Sequence, residues 1–571
     1  MIAIAIILAT ANAAPVPTHS NAKPRRHTTD EKVHLVNADE LRYDQYKNPG
    51  AQILVGNVII THTGMRLTCD SAVVYEASNS FMAVGRVKMV QGDTLSLTGD
   101  SLYYSGDSQI AEVRRNVVMT HRKTKLYTDN LNYDRVEKKG YFFEGGRMID
   151  GDNDLTSDWG EYHTDTRLAT FNDRVELRNP EFRLVTDTLN YNTTTKWSEL
   201  VGPSNLFSGN SRIYTESGFY NTTIKQARLY ERPQLFNKGS KLVGDSLHYD
   251  KVSGLAEAFG NIVYRDTVNR NILLGEYGFY NELTGESMAT GHALAKDYSQ
   301  SLTDTLFVHA DTLRTFTFNM DTDSVYRRLH GYYHVRAFRS DIQAVSDSLS
   351  GCTQDSTLTL YKDPIVWSDN RQILGESITA YLNDSTVDSV YVDHQALLVE
   401  RLDSTLYNQV AGRQMRAYYI GKRMHENVVD GNGTVIYYPY EQDSTILYQV
   451  YMQAAWLRVL YDDKGQLDSI KGPAADGLMY PLGLAPKEHT FLPNFAWFDY
   501  IRPIDKYDLF EWRPKKTGSE LKWQPRRKAP LQYLKPQPGQ ENTQENPSDT
   551  PKDEAPAPDN TLTTKEDTPN E

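Results

Sequence analysis

The residues best placed to do chemistry lie in DGDNDLTSDWGE, residues 150 to 161, where Asp150, Asp152, Asp154, Asp158 and Glu161 fall at the spacing of a calcium loop. Such a loop needs glycine at its sharp turn and a helix on each side. Leu155 occupies the turn position, and the flanking residues have no helical period, so no metal site is expected. No glycine-rich phosphate loop, HExxH, nucleophile elbow or cysteine cluster occurs, and isolated Ser, His and Asp residues have no supporting motif. The sequence therefore predicts neither an enzyme nor a cofactor. The net charge of −13 argues against nucleic acid as a partner, since phosphate binding needs a basic face.

Asp158 has another explanation, because it belongs to a repeat. Asp39, Asp70, Asp100, Asp129, Asp158, Asp187, Glu216, Asp245 and Glu276 follow one another at steps of 29 to 31 residues. Four residues after each acid stands a tyrosine, except at Val74, and three residues before the later eight stands a leucine or isoleucine, Leu67 to Leu273. About 14 residues upstream of the acid a second phrase alternates with period two, as in GNVIITH (56 to 62) and RNVVMTH (115 to 121). Val58 and Ile60, Val87 and Met89, Val117 and Met119, and Val175 and Leu177 each share one strand face. An array grows by such units without adding domains, so length alone does not set the domain count. The fold class predicted is all-β: an elongated, solenoid-like or jellyroll repeat array of short antiparallel strands in units of about 29 residues.

Parity assigns the acid a role. In a straight strand the leucine at −3 and the residues at +2 and +4 point to opposite faces, because five and seven are odd separations. A bulge or corner at the acid brings both inside, and a short acid accepts the N–H groups that the bend frees. The +2 position alternates Leu131, Gly160, Leu189, Gly218, Leu247, Gly278. This predicts a doubled period of about 58 residues, with successive units running in opposite directions and glycine at crowded corners. His62 and His121, 59 residues apart, match that period and read as structural.

The chain divides as follows. Residues 2 to 9 are apolar and lead into an Ala-x-Ala pattern, so residues 1–14 read as a signal peptide and 15–32 as a linker. The regular array spans 33–300, and longer, less regular repeats span 301–446 with weaker anchors at Asp311 and Asp347 before Glu376 and Tyr381 recover the phrase. Residues 447–512, with Trp456, Trp497, Phe498 and Trp512, read as a closing region. Residues 513–571 read as a disordered polar tail.

The repeated phrases GNVIITHTGMRLTCDSAVVY and RNVVMTHRKTKLYTDNLNY, with the ending FAWFDYIRP (495 to 503), resemble the OstA/LptA-like lipopolysaccharide-transport family, in particular the long OstA-like proteins of the Bacteroidetes. The resemblance covers roughly residues 33 to 505. It implies an antiparallel β-jellyroll, open along one side, whose apolar interior shields the acyl chains of lipopolysaccharide across the periplasm. It also implies end-to-end strand pairing with an inner-membrane LptC-like component and an outer-membrane LptD-like translocon, or with further copies in a homo-oligomer. Taken alone, the residues favour a closed core, as in a structural or adhesive β-solenoid. The resemblance instead makes Val58, Ile60, Val87, Met89, Leu102, Tyr104, Val117, Met119, Leu131, Tyr133, Val175, Leu177, Leu189, Tyr191, Leu247 and Tyr249 the wall of a lipid trough. Arg114, Arg115, Arg122 and Lys123 are then headgroup candidates, although a solvated strand face is the plainer reading of them.

Overall fold

The computed structural model describes residues 32–516, apart from 44–45, 47–48, 299–304, 321, 384–385, 442–444 and 464. The signal-peptide reading, nearly all of the linker and the tail beyond 516 lie outside the described residues. Each 29-residue unit folds as one hairpin of two long strands: Ile110–His121 with Thr124–Asp134, then Lys139–Asp150 with Asn153–His163. From Ala51 to Asn221 each strand pairs antiparallel with the strands before and after it, and the strands from His34 to Pro481 together form one antiparallel sheet. Beyond the sixth hairpin some long strands are cut at the middle. Gln226–Tyr230 and Gln234–Asn237, for example, together take the place of one strand beside Ser211–Asn221.

The bend predicted at the acid is present. Pairing between Ile110–His121 and Thr124–Asp134 jumps between Arg114 and Val117, so Arg115 and Asn116 oppose the single residue Asp129. Both take left-handed φ, 59° and 51°, and the Asn116 N–H donates to Asp129 Oδ1 at 3.1 Å. The extra residue restores the phase. Leu126 on one side of the acid and Leu131 and Tyr133 on the other are all at most 1% exposed. The acid's own N–H is used as well: Asp39 and Glu276 donate to the carbonyls of Gly56 and Gly291 at 2.9 Å. The weaker anchor Asp311 behaves alike, donating to Tyr333 at 3.1 Å, as does the later Glu376, donating to Asp393 at 3.2 Å. Glycine is needed where the next bulge rides over the acid. At Gly85, φ is +81° and a Cβ would fall 2.5 Å from Asp70 Oδ2.

These bends fold each strand into two halves in facing layers, joined at a corner lined by the acids. The hairpin turns of both layers meet along the opposite side, the seam. Acid strands such as Met65–Tyr75 and Leu95–Ser105 are each antiparallel to the strand between them and therefore run in the same direction. The doubled period with opposed units is thus corrected: the unit is one hairpin, repeated without reversal. At Gly160 the glycine has a volume cause instead. Gly160 is paired with Phe142 on one side and Phe171 on the other, and a Cβ there would sit 2.6 Å from the Phe142 ring. Bulk on one strand is offset by its absence on the next.

After Pro481 the chain leaves the sheet and runs as a strap along the outside of one layer. Its Leu492, Phe498 and Ile501 pack on Val345, Ile365, Trp367, Leu374, Leu397, Val399 and Ile436. The strands below are therefore buried on both faces. Ile365–Ser368 and Ala396–Arg401 show consecutive buried residues instead of alternation, with Val366 and Leu398 facing inward. A row of glutamines fastens the strap backbone. Gln372 Oε1 accepts the Phe498 N–H at 2.8 Å while its Nε2 donates to the Ala496 carbonyl at 2.8 Å, and Gln409 bonds Leu492 and Thr490 in the same way at 2.9 and 3.0 Å. The aromatic ending thus covers the side of the array, and Trp456, in the strand Tyr448–Tyr461 next to the last edge, is 42% exposed.

Candidate functional site

The tyrosine of the repeated phrase reaches across the interior to the seam. The Tyr104 hydroxyl lies 2.7 Å from His62 Nδ1 and accepts Arg135 Nη1 at 2.6 Å, while Arg135 Nη2 donates to the Thr63 carbonyl at 2.9 Å. The Tyr162 hydroxyl meets His121 Nδ1 at 2.8 Å. Tyr191 donates to Asp150 at 2.7 Å, and Lys196 pairs with the same carboxylate at 2.5 Å. Burial pushes the phenols of Tyr104, Tyr133 and Tyr162 above their usual range, so they stay protonated donors. Burial also holds the His121 imidazole below its usual value, assisted by the nearby charges of Arg122 and Arg167. In the regular half these contacts latch one layer to the other along the seam.

The interior behind the latches is filled. Val58, Ile60, Val87, Met89, Leu102, Tyr104, Val117, Met119, Leu131, Tyr133, Val175, Leu177, Leu189, Tyr191 and Leu247 are all at most 4% exposed and share one packed core. Tyr249 is half-buried and donates its hydroxyl to Glu282 at 3.0 Å. The four headgroup candidates do not come together. Arg114 lies on an outer face bonded to Glu112 and Asn132, Arg115 sits in the corner bulge, and Arg122 and Lys123 form a turn at the seam. The acids of DGDNDLTSDWGE also diverge: Asp150 binds Lys196, Asp154 binds Arg147 at 2.6 Å and Asp158 binds Arg174 at 2.5 Å.

Space opens further along the chain. Between the layers from about residue 297 to 467 lies a cavity of about 610 Å³, walled by apolar side chains including Val308, Leu349, Leu358, Leu360, Ile373 and Ile378. Its cause can be read at the tyrosine position. Four residues after Asp311, Asp347, Glu376 and Arg413, the last of which holds the acid's place in its unit, stand Thr315, Gly351, Ala380 and Ala417. The residues at −3 and +2 stay apolar, but the ring that fills the interior and latches the seam is gone. Tyr381 does not recover the phrase. It lies one residue past Ala380 and faces outward under the Arg416 guanidinium, whereas Ala380 faces the cavity.

The cavity meets the seam at a mouth of mixed charge. Arg339 holds Asp341 at 2.5 Å, and Lys422 reaches Asp341 across the seam at 3.5 Å. Burial alone would raise the Asp341 carboxyl, but its bond to Arg339 and the charges of Arg339 and Lys422 outweigh this and hold it low. On the other side Arg371 pairs with Glu400 at 2.9 Å, donates to the Gly465 carbonyl at 2.5 Å and stacks over Tyr461. Arg339, Arg371, Lys422 and Arg423 are balanced by Asp297, Asp341, Asp369 and Glu400. An apolar chamber behind a neutral, ion-paired mouth suits a hydrocarbon chain better than a free polar solute.

The architecture defines an all-β repeat array with one apolar interior, packed in its first half and hollow in its second. A model of the OstA-like protein family matches residues 30–187 and 208–292, the regular hairpins up to the edge of the chamber. Over these residues the chain is similar to the OstA-like family. No curated protein matches it.

Proposed function

We propose that the protein is an exported, periplasmic lipopolysaccharide-binding bridge that shelters acyl chains in the chamber between residues 297 and 467. The observation that carries this is the apolar chamber itself, lined at Ala380 where the seam tyrosine is lost, in the stretch where Thr315, Gly351 and Ala417 also lack it. At about 30 Å³ per water-sized group, 610 Å³ holds about twenty such groups, room for one or two acyl chains at a time. Each buried methylene contributes about 0.8 kcal/mol. Edge strands support end-to-end pairing with an LptC-like component, an LptD-like translocon or another copy. His34–Asn37 and Glu40–Tyr43 leave Val36 59% and Leu41 53% exposed, and Asp476–Pro481 leaves Met479 64% exposed.

A photo-crosslinker at Ile378, with Leu131 and the outward Asn132 as comparisons, tests the reading in cells making lipopolysaccharide. Crosslinks from Ile378 and none from Asn132 are expected; none from Ile378, or equal yields from Asn132, would overturn it. The packed core of the first half favours a second reading, a structural β-solenoid, for which no position crosslinks.

A further inference from the structure

One outer face carries cations with no acid beside them. Where hairpins Lys139–Asp150 to Phe182–Asn192 present arginines on this face, carboxylates accompany them: Arg147 with Asp154, and Arg178 and Arg183 with Glu176. Past Arg183 the pattern changes. Arg183, Phe207, Arg212, Phe236, Lys241, Arg265, Ile272, Lys296 and Phe307 stand opposite one another in register, strand after strand, as a single file across the sheet. Among the described residues, Arg212, Lys241, Arg265 and Lys296 form no ion pair with any carboxylate. Rings hold three of them in place: Arg212 lies over Phe207 and Phe236, Lys241 over Phe236 and Lys296 over Phe307, each within 6.0 Å of a ring centroid. Outward neighbours in the adjoining row are Tyr214, Val243, Val263 and Leu274, with no Asp or Glu among them.

We infer that this face docks on an anionic phospholipid surface. In a chain of net charge −13, four cations left without carboxylates, three of them held on aromatic rings, offer a counter-charge to an external anion. The backbone groups of these interior strands are used by their neighbours, so an acidic peptide would find side chains only, with no edge to pair with. Lipid phosphates require no more than that, and phenylalanine and isoleucine between the cations, with valine in the adjoining row, suit the boundary between headgroup and acyl chain.

The test is co-sedimentation of the full chain with vesicles of phosphatidylcholine, alone or mixed with phosphatidylglycerol. Binding to the mixed vesicles is expected, weakening with salt. The combined variant Arg212→Gln, Lys241→Gln, Arg265→Gln, Lys296→Gln should bind more than a hundredfold more weakly, at about fivefold per cation. Arg212→Lys with Arg265→Lys should keep binding. If the combined variant melts early, the exposed Arg265→Gln alone reads the fivefold loss. Equal binding by the Gln variants, equal binding to phosphatidylcholine alone, or displacement by polyglutamate at lower charge than by phosphatidylglycerol overturns the inference, the last in favour of an acidic protein.

Discussion

Single side chains decide whether the interior is full or hollow. Gly160 makes room for Phe142, so Gly160→Leu should cost about 1–3 kcal/mol by overpacking, and pairing it with Phe142→Leu should recover most of the loss in a double-mutant cycle of denaturation midpoints. His121 is the clearest pH-sensitive latch. Its folded-state value is held below the ordinary histidine value by burial, so the unfolded chain takes up the proton first. Stability should therefore fall as pH drops below about 6.5 and keep falling until the folded imidazole also titrates. Melting temperatures at pH 7.5 and 5.5 should differ less for His121→Gln than for the wild type. The acid in the corner was legible in the sequence because odd separations between Leu126 and the pair Leu131 and Tyr133 demand a phase break. The reach of the tyrosine hydroxyl to the seam was not legible, because its partners lie about 40 residues away in another hairpin.

At the scale of elements, the units are hairpins and the strap is their late companion. Gln372→Ala removes both bonds to Phe498 and Ala496, so hydrogen exchange and limited proteolysis should show residues 490–502 opening while the hairpins of the first half keep their protection. The repeat length was plain in the sequence, yet it could not say how many strands fill 29 residues or which way successive units run. The Leu–Gly alternation therefore reads as a change of direction, whereas at Gly160 its cause is the size of Phe142 and Phe171, and at Gly218 and Gly278 a Cβ would crowd the carbonyls of Arg228 and Met288. The strap left a different trace. Runs such as ALLV at 396–399 lack alternation because both faces are covered, and a covering segment about 100 residues away gives no periodic signal.

For the whole molecule, the irregular half is where the interior becomes usable. Its longer steps and missing tyrosines resemble a decayed repeat when read as a pattern, whereas in space they define the chamber. Ala380→Tyr puts the ring back. It should cut lipopolysaccharide crosslinking from Ile378 at least tenfold, as displacing two methylenes from the wall would, and leave the thermal midpoint unchanged or slightly higher. The strap has one further consequence, which concerns the order of events. Every sheet pairing joins a strand to one adjacent or nearly adjacent in the chain, so hairpins can assemble progressively, each closing short loops onto the last. The strap alone must wait, because Gln343 and Arg502 are 159 residues apart. Until it arrives, Trp367, Leu397, Val399 and Ile436 lie bare on a finished sheet, a surface that invites aggregation. Completion of the last 35 or so residues before 516 is thus the step that converts a sticky assembly intermediate into a finished molecule.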